Sequence, residues 1–493
     1  MSTVRTRFAP SPTGYMHIGN LRTAIYEYLV ARTQQGKFIL RIEDTDQARL
    51  VAGAIATIYK TLALVGLDYD EGPDCGGPYG PYLQSERKPF YKKYAEKLVE
   101  QGGAFYCFCL KSRLEALRQE AEANGQVFQY DGCCKRLTAT EIKQRLAKGD
   151  SYVIRQRIPQ TGQTSFDDLV YGEITVDNAR LDEGVLLKSD GMPTYNFANV
   201  IDDHLMEITH VVRGAEYLSS TPKYNLVYQA FGWDIPSYIH LPSIMKSATK
   251  KLSKREGDAS FEDFLRQGYL TEAIVNYIVL LGWNPGTTEE FFTLDDLKRR
   301  FTIGGLSKAP AVFDIKKLRW MNGEYLRRIS LADFHHYALP YYENIHHQKI
   351  DPVKVSRLLH QRTEVLGEIP QQIAFLAQLP EYRVDLYCNQ KMKTNWGNAL
   401  AYLQAALDLF VTFEPWEFQP LHDALLNLAG QLGIRNGQLL WPLRIAVSGQ
   451  EVTPGGAIEL IDVLGKPETL RRISIGMEKL RQAQENAIFI LPN

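Results

Sequence analysis

Cysteine is scarce in this chain: six residues in 493, at positions 75, 107, 109, 133, 134 and 388, too few and too unevenly spaced for a disulfide framework. Long apolar runs are missing too. No stretch of about eighteen apolar residues occurs, which argues against a helical membrane span, and the opening residues MSTVRTRF lack the apolar centre of a signal peptide. The expectation is a soluble, cytoplasmic protein with no membrane partner. Neither sign of charge dominates, since 56 Lys and Arg face 57 Asp and Glu for a net charge of -1, and this balance speaks against a sequence-independent coat for nucleic acid. Internal repeats and low-complexity stretches are not evident. A hydrophobic fraction of 45% is that of an ordinary globular protein, and 493 residues exceed a single core, so roughly three domains are expected.

What is there begins with Arg7 to Asn20, RFAPSPTGYMHIGN, which reads as a strand end, a proline-punctuated loop and the first residues of a helix. Val4 to Ala9 alternates like a buried strand, and Ile18, Leu21, Ile25 and Leu29 recur at helical spacing until Gly36 stops the helix. Lys37 to Asp44, KFILRIED, follows as a second strand. The unit predicts a right-handed crossover between parallel strands, with ligands bound where the strands end. Pro10 and Pro12 restrict the loop, Gly14 and Gly19 permit close approach, and the helix start near His17 turns N–H groups toward an anion. The loop matches neither the P-loop nor the dinucleotide fingerprint. On this stretch alone, a plain strand-to-helix connection with a capping histidine serves equally well.

A second motif breaks the tie. KLSKR stands at Lys251 to Arg255, followed by Glu256 and Gly257; by itself such a run is usually just a solvated face. Together, HIGN and KLSKR resemble the two signatures of class I aminoacyl-tRNA synthetases, usually H-I-G-H and K-M-S-K-S. The strings RFAPSPTG, RIEDTD, GMPTYNFANVIDDH and LRWMNG are similar to the glutamyl-tRNA synthetase family, and the likeness runs from Thr6 to near the C-terminus. It implies an α/β Rossmann-like class I catalytic domain with an acceptor-binding insertion, followed by an all-α C-terminal anticodon-binding region of the bacterial kind. The implied partners are tRNA(Glu), ATP and L-glutamate, with Mg²⁺ accompanying ATP, in a monomer. Two basic runs suit an RNA engaged along one face: Lys246 to Arg255, and Lys316 to Arg328 with five cations against one glutamate.

On that basis residues 1–88 and 181–250 form the split catalytic domain, 89–180 the insertion, 251–330 a stem-contact region with the KLSKR loop, and 331–493 the helical anticodon-binding domain. Helices are expected at Ala52 to Val65 and Lys88 to Gln101, and the parallel-sheet pattern is expected to resume at Val185 to Ser189 and Ile208 to Arg213. Ala399, Leu403, Leu407 and Phe410, and Leu421, Leu425, Leu428 and Leu432, form apolar stripes that read as core.

Joining glutamate to ATP sets a carboxylate against an α-phosphate, so the site needs cations and N–H donors where charge develops. His17, Gly19 and Asn20 at the helix start, and Lys254 on a closing loop fixed by Lys251 and Ser253, are the candidates for ATP and catalysis. Glu43 suits the glutamate ammonium, and Arg7 and Arg213 its side-chain carboxylate. The competing assignment for Arg213 is a structural ion pair with Glu216. By resemblance Ala9, Ser11, Tyr195 and Asn199 complete the pocket.

Cys107, Cys109, Tyr130 and Cys134 resemble a zinc knuckle known in parts of the family, with Arg136 where histidine usually stands and Cys133 an alternative fourth ligand. Reduced cysteines packed as small apolar groups are the other reading. In this family the third anticodon base separates tRNA(Glu) from tRNA(Gln), and the corresponding segment, Gln361 to Ile369, offers Arg362 or, at a position with nothing to read with, Gly367. The chain looks nearest to cyanobacterial members, which generally charge both tRNAs, so charging of tRNA(Gln) as well is expected. A small-molecule nucleotidyltransferase would need only one compact domain, and a non-catalytic tRNA-binding paralogue would be expected to lack His17 or Lys254.

Overall fold

The computed structural model describes residues 3–46, 49–126, 128–247, 249, 250, 252, 260–345 and 349–489. It comprises two compact units, Met1–Asp263 with Ile274–Asp314, and Phe264–Ala273 with Ile315–Asn493.

The first unit is built on the expected crossover. β1 (Arg5–Phe8) and β2 (Lys37–Leu40) pair in parallel, Arg5 opposite Lys37 and Phe8 opposite Leu40, joined through α1 (Ile18–Thr33). Helix α1 is buried over most of its circumference, including the charged Arg22 and Glu27. That is more than an amphipathic stripe would bury, and it places two ionisable groups where only specific partners can hold them. α2 (Ala54–Leu64) and α3 (Lys88–Glu100) follow within the predicted segments.

Next come β3 (Ala104–Cys107), α4 (Lys111–Ala123), α5 (Ala139–Ala147), β4 (Val153–Gln156), β5 (Gln163–Asp168), β6 (Gly172–Asp177) and β7 (Val185–Leu187). Neither α4 nor α5 fully buries a residue, and only the pair Ile142 and Leu146 of α5 packs, partly buried, against the cluster of Phe105, Cys107, Phe108 and Cys134. Contrary to expectation, Val185–Leu187 does not resume the parallel sheet. It pairs antiparallel with β4, in the order β3-β4-β7, because the turn that follows it and Thr194, whose hydroxyl donates back to Val185 O at 2.7 Å, hand the chain to α6 (Tyr195–Leu205) rather than to a crossover strand.

The parallel pattern returns at β8 (His210–Gly214), which leads through α7 (Thr221–Phe231) to β9 (Ser237–Leu241). The Thr209 N–H reaches Arg5 O at 3.0 Å and ties the β8 entry to β1. β9 also pairs with β5, giving the sheet order β6-β5-β9-β8. The unit ends with β10 (Ile244–Met245), α8 (Phe261–Gln267), α9 (Thr271–Leu280), α10 (Leu294–Arg300) and β11 (Ala311–Val312), in which parts of α8 and α9 pass to the second unit.

The second unit is helical throughout its described length. α11 (Ile315–Arg328), α12 (Leu331–Ala338), α13 (Pro352–Leu359), the short α14 (Ile369–Gln372) and α15 (Ala374–Ala377), then α16 (Trp396–Thr412), α17 (Phe418–Gln431), α18 (Asn436–Ser448), α19 (Ala457–Leu464) and α20 (Lys466–Phe489) enclose one core. On α16 the stripe is Ala399, Leu403, Ala406 and Phe410. The second expected stripe is shorter than the spacing suggests, since Leu421 and Leu425 are buried with Ala429 while Leu432 is exposed past the helix end.

Candidate active site

The carboxyl ends of the parallel strands open into a cavity of about 710 Å³, within the usual range for a small-molecule site. Phe8 and Ala9 reach it from β1, Glu43 from beyond β2, Arg213 and Gly214 from β8, and Leu241 and Pro242 from β9. His17, Gly19 and Asn20 close it at the start of α1, and Ser11 and Tyr195 also face it. Nearly every candidate from the sequence therefore meets in one place. Asn199 stands apart: it is buried one turn along α6, and its amide nitrogen donates to Tyr195 O at 2.9 Å. Lys251, Ser253 and Lys254 lie outside the described residues. Leu252 between them is buried, with its N–H on Ile244 O at 3.1 Å.

His17 is the N-cap of α1. Its Nδ1 accepts the Gly19 N–H at 3.0 Å, satisfying a donor that the helix leaves open. An accepting Nδ1 carries no hydrogen, so the neutral ring bears it on Nε2 and remains a donor there. A side chain at 19 would place its Cβ 3.1 Å from that same Nδ1, so glycine keeps the cap uncrowded. Just upstream, the Met16 N–H bonds to Glu262 Oε2 at 3.2 Å and Phe261 N–H to Met16 O at 2.9 Å.

Behind the cavity lies a buried charge network. Arg7 gives Nε and Nη2 to Asp203 at 2.9 and 3.3 Å and Nη1 to Glu27 at 3.1 Å. Arg41, fully buried, donates to Asp203 at 2.7 Å and to Glu43 Oε1 at 3.0 Å. Burial disfavours the Asp203 carboxylate, yet Arg7 and Arg41 together hold it below its ordinary range. For Glu43 the balance is reversed, and burial raises it despite Arg41 and Arg7.

Arg213 has different company. It is 6% exposed, and among the described residues it makes no ion pair; the alternative pairing with Glu216 is not formed. Its Nε donates to His240 Nε2 at 3.1 Å and its Nη2 to Thr221 at 2.7 Å. The rings of Tyr217, Tyr224 and Tyr238 lie 5.4, 4.7 and 5.0 Å from its guanidinium carbon. A buried cation held by neutral groups at the rim of a cavity is a ready receptor for an anion.

Away from the cavity, the sulfurs of Cys107, Cys109 and Cys134 lie within 4.8 Å of one another. The Tyr130 hydroxyl is 3.5 Å from both Cys107 and Cys109. Cys133 is not part of this group. In the second unit Arg362 is exposed and paired with Glu459 at 3.0 Å. Gly367 is exposed too, but a Cβ there would sit 2.3 Å from Gln267 O.

Sequence reading missed Arg41, Glu27 and Asp203. The available signal was a charge inside an apolar segment, Arg41 in FILRI and Asp203 in ANVIDD; such positions are seldom solvated.

Residues 3–320 match the family described as tRNA synthetases class I (E and Q), catalytic domain, and residues 332–477 match an anticodon binding domain. A glutamate–tRNA ligase of Clostridium tetani is 58% identical over 478 residues, 97% of this chain and 98% of that protein. One from Clostridium botulinum is 58% identical over 481 residues, 98% of this chain and 99% of that protein. Among solved structures, that of a glutamate tRNA ligase from Elizabethkingia meningosepticum in complex with its amino acid has a TM-score of 0.88 at 33% identity, covering 97% of this chain and 100% of that one.

Proposed function

The chain belongs to the bacterial glutamate–tRNA ligases, class I aminoacyl-tRNA synthetases that attach glutamate to tRNA with ATP, and from that premise we propose how its cavity carries out the reaction. The glutamate α-carboxylate attacks the α-phosphate of ATP, pyrophosphate leaves, and the tRNA ribose hydroxyl then displaces AMP from the glutamyl-adenylate. The nucleotidyltransferase and paralogue alternatives are not favoured by relatives of the same length and name.

In this reading Glu43, with Oε1 anchored by Arg41, receives the ammonium of glutamate. Arg213 receives the side-chain carboxylate, with Arg7 supporting it from the network behind. Ala9, Ser11, Tyr195 and Asn199 complete the pocket, Asn199 through the Tyr195 backbone. His17 Nε2–H and the α1 start at Gly19 and Asn20 face the phosphates, where negative charge grows. Lys254, steadied by Lys251 and Ser253, completes the cation set. Mg²⁺ comes with ATP and is held chiefly by its phosphates.

The observation that carries this reading is Arg213, a buried guanidinium at the cavity wall with no carboxylate of its own among the described residues. Glutamine in its place would leave that cation unpaired, so discrimination of about 10⁴ is reachable without editing. Arg213→Ala should raise KM for glutamate far more than KM for ATP. Equal effects on the two would overturn the assignment.

The domain roles follow the same reading: 89–180 contacts the acceptor end, 251–330 the stem and 331–493 the anticodon. Charging of tRNA(Gln) beside tRNA(Glu), with Arg362 and Gly367 near the reading position, belongs to it as well. So does a zinc ion on Cys107, Cys109, Cys134 and Tyr130. Tetrahedral Zn–S bonds imply sulfurs about 3.8 Å apart, and Cys109 and Cys134 stand 3.6 Å apart, so the donor set fits a structural ion. The enzyme is read as a cytoplasmic monomer; no described helix is long and apolar enough to cross a membrane.

A further inference from the structure

We infer that Asp168 and His240 act together as positioning residues for Arg213, locking its guanidinium so that Nη1 is presented to the substrate carboxylate. The inference rests on the reading of Arg213 as the group that receives that carboxylate.

Asp168, at the end of β5, is 3% exposed, and His240, inside β9, is 0% exposed. Asp168 Oδ2 lies 2.6 Å from His240 Nδ1 and also accepts the His240 backbone N–H at 3.0 Å. Asp168 Oδ1 accepts the N–H groups of Val170 and Tyr171 at 2.9 and 2.8 Å. Every partner of this carboxylate is thus a donor, so the ring hydrogen of His240 must reside on Nδ1. The opposite nitrogen says the same. Arg213 Nε, 3.1 Å from His240 Nε2, can only donate, so Nε2 must hold a lone pair. The two ends of the imidazole therefore demand one tautomer, and that tautomer converts the acceptor strength of Asp168 into an acceptor for Arg213.

Protonation states agree with the geometry. Burial opposes the Asp168 carboxylate, but the bond from His240 and those from the Tyr171 and Val170 backbone hold it below its ordinary range. Burial lowers His240 and keeps it neutral, against the pull of Asp168. A charged imidazole would put a second N–H against the Arg213 Nε–H. Thr221 closes the set: its Oγ1 accepts from Arg213 Nη2 at 2.7 Å, and its own hydrogen is shared between Tyr217 O at 2.9 Å and the lone pair of His240 Nε2 at 3.2 Å. Nε and one N–H of Nη2 are then fixed, and Nη1 is left for the cavity that Arg213 lines. A fork steered from one edge offers its other edge in a defined direction, which a carboxylate requires.

The same reasoning shows why an isosteric amide fails at 168. If the amide of Asp168→Asn turned its NH2 toward Val170 and Tyr171 it would face two donors. Turned the other way, it would face the His240 N–H and drive the ring hydrogen to Nε2, against Arg213.

The test is steady-state aminoacylation at saturating tRNA(Glu), with KM for glutamate and for ATP measured on the parent, Asp168→Asn, His240→Asn, His240→Gln and Arg213→Ala. Asparagine at 240 reaches the Nδ1 position and glutamine the Nε2 position, so only glutamine retains an acceptor for Arg213. Asp168→Asn and His240→Asn should raise KM for glutamate at least tenfold with KM for ATP within twofold of the parent, and His240→Gln should stay within about threefold on both. The histidine pair keeps the test valid if the aspartate variant fails to fold. Should Arg213→Ala raise KM for glutamate while His240→Asn leaves it unchanged, or moves both constants equally, the positioning role is overturned and the pocket stands. If Arg213→Ala itself leaves KM for glutamate unchanged, the pocket reading fails, and the positioning role with it.

Discussion

Arg7 and Arg213 bear the same charge at neighbouring strand ends but have opposite surroundings. Arg7 is paired with Glu27 and with Asp203, which it shares with Arg41, whereas Arg213 is wrapped by tyrosines, a histidine and a threonine. The difference decides which of them has charge to spare for a ligand, and it was not legible in the sequence. His17, Glu43 and the loop between β1 and α1 were legible, because a proline-rich loop before a helix and a charge at a strand end are local patterns. Arg7 and Asp203 are 196 residues apart, and Asp168 and His240 are 72 apart; nothing local announces either pair. The cysteines fall between these cases. All four expected ligands sit in two short segments, 107–109 and 130–134, but whether these would meet depended on β3 and the turn after residue 130. If they hold zinc, protein purified without chelator should contain close to one equivalent by elemental analysis, and Cys109→Ser should lower it severalfold. Less than a tenth of an equivalent in the parent would end the zinc reading and leave packed, reduced thiols.

At the scale of elements, the long final helix α20 is held by one residue that apolar periodicity cannot flag. Arg472 is fully buried and donates to the carbonyls of Phe375 at 2.8 Å, Val447 at 2.6 Å and Leu376 at 3.2 Å. It thereby joins α20 to α18 and to α15. Burial lowers its pKa, and Glu468 at 2.6 Å is the anion that offsets the cost. Arg472→Met fills much of the space but strands buried acceptors, a loss of about 3 kcal/mol. Hydrogen exchange should report it as a fall of roughly a hundredfold in amide protection across α18 and α20; unchanged protection would contradict this role. Glu468 supplies a pH signature. Hydrogen bonds from Arg471, then burial opposing them and bonds from Arg472, bring it from its ordinary 4.5 down to about 2. A carboxylate depressed on folding stabilises above its unfolded pKa, and that stability is lost as pH falls through the folded value. Glu468→Gln should therefore be less stable than the parent at pH 7 and converge with it between pH 4.5 and about 2. Because Glu468 is about one-third exposed, solvent screening makes the difference modest.

For the molecule as a whole, the open choice is between charging one tRNA and charging two. The chain matches 98% of its Clostridium tetani relative, and residues 332–477 match an anticodon binding domain. Its selectivity depends on whether a guanidinium is available at the reading position. At Leu366–Glu368 the chain turns tightly against the end of α8. Leu366 N–H reaches Gly268 O at 3.2 Å, and a Cβ on Gly367 would overlap the Gln267 carbonyl. A side chain is thus excluded at 367 by packing alone, and Gly367→Arg would probe that packing rather than the reading of a base. Arg362 is the remaining guanidinium in this segment, and it is occupied by Glu459 Oε1 and Leu358 O at 3.0 and 2.9 Å. A bidentate contact to a base discriminates by roughly 1 to 3 kcal/mol, and Arg362 would have to release both partners to make one. The expected outcome is glutamylation of tRNA(Glu) and tRNA(Gln) transcripts with kcat/KM values within about tenfold, and a ratio between them that Arg362→Ala shifts by less than about threefold. Rejection of tRNA(Gln) by the parent by a hundredfold, about 2.7 kcal/mol, would overturn this expectation. If Arg362→Ala then abolished that rejection, Arg362 would be the reader.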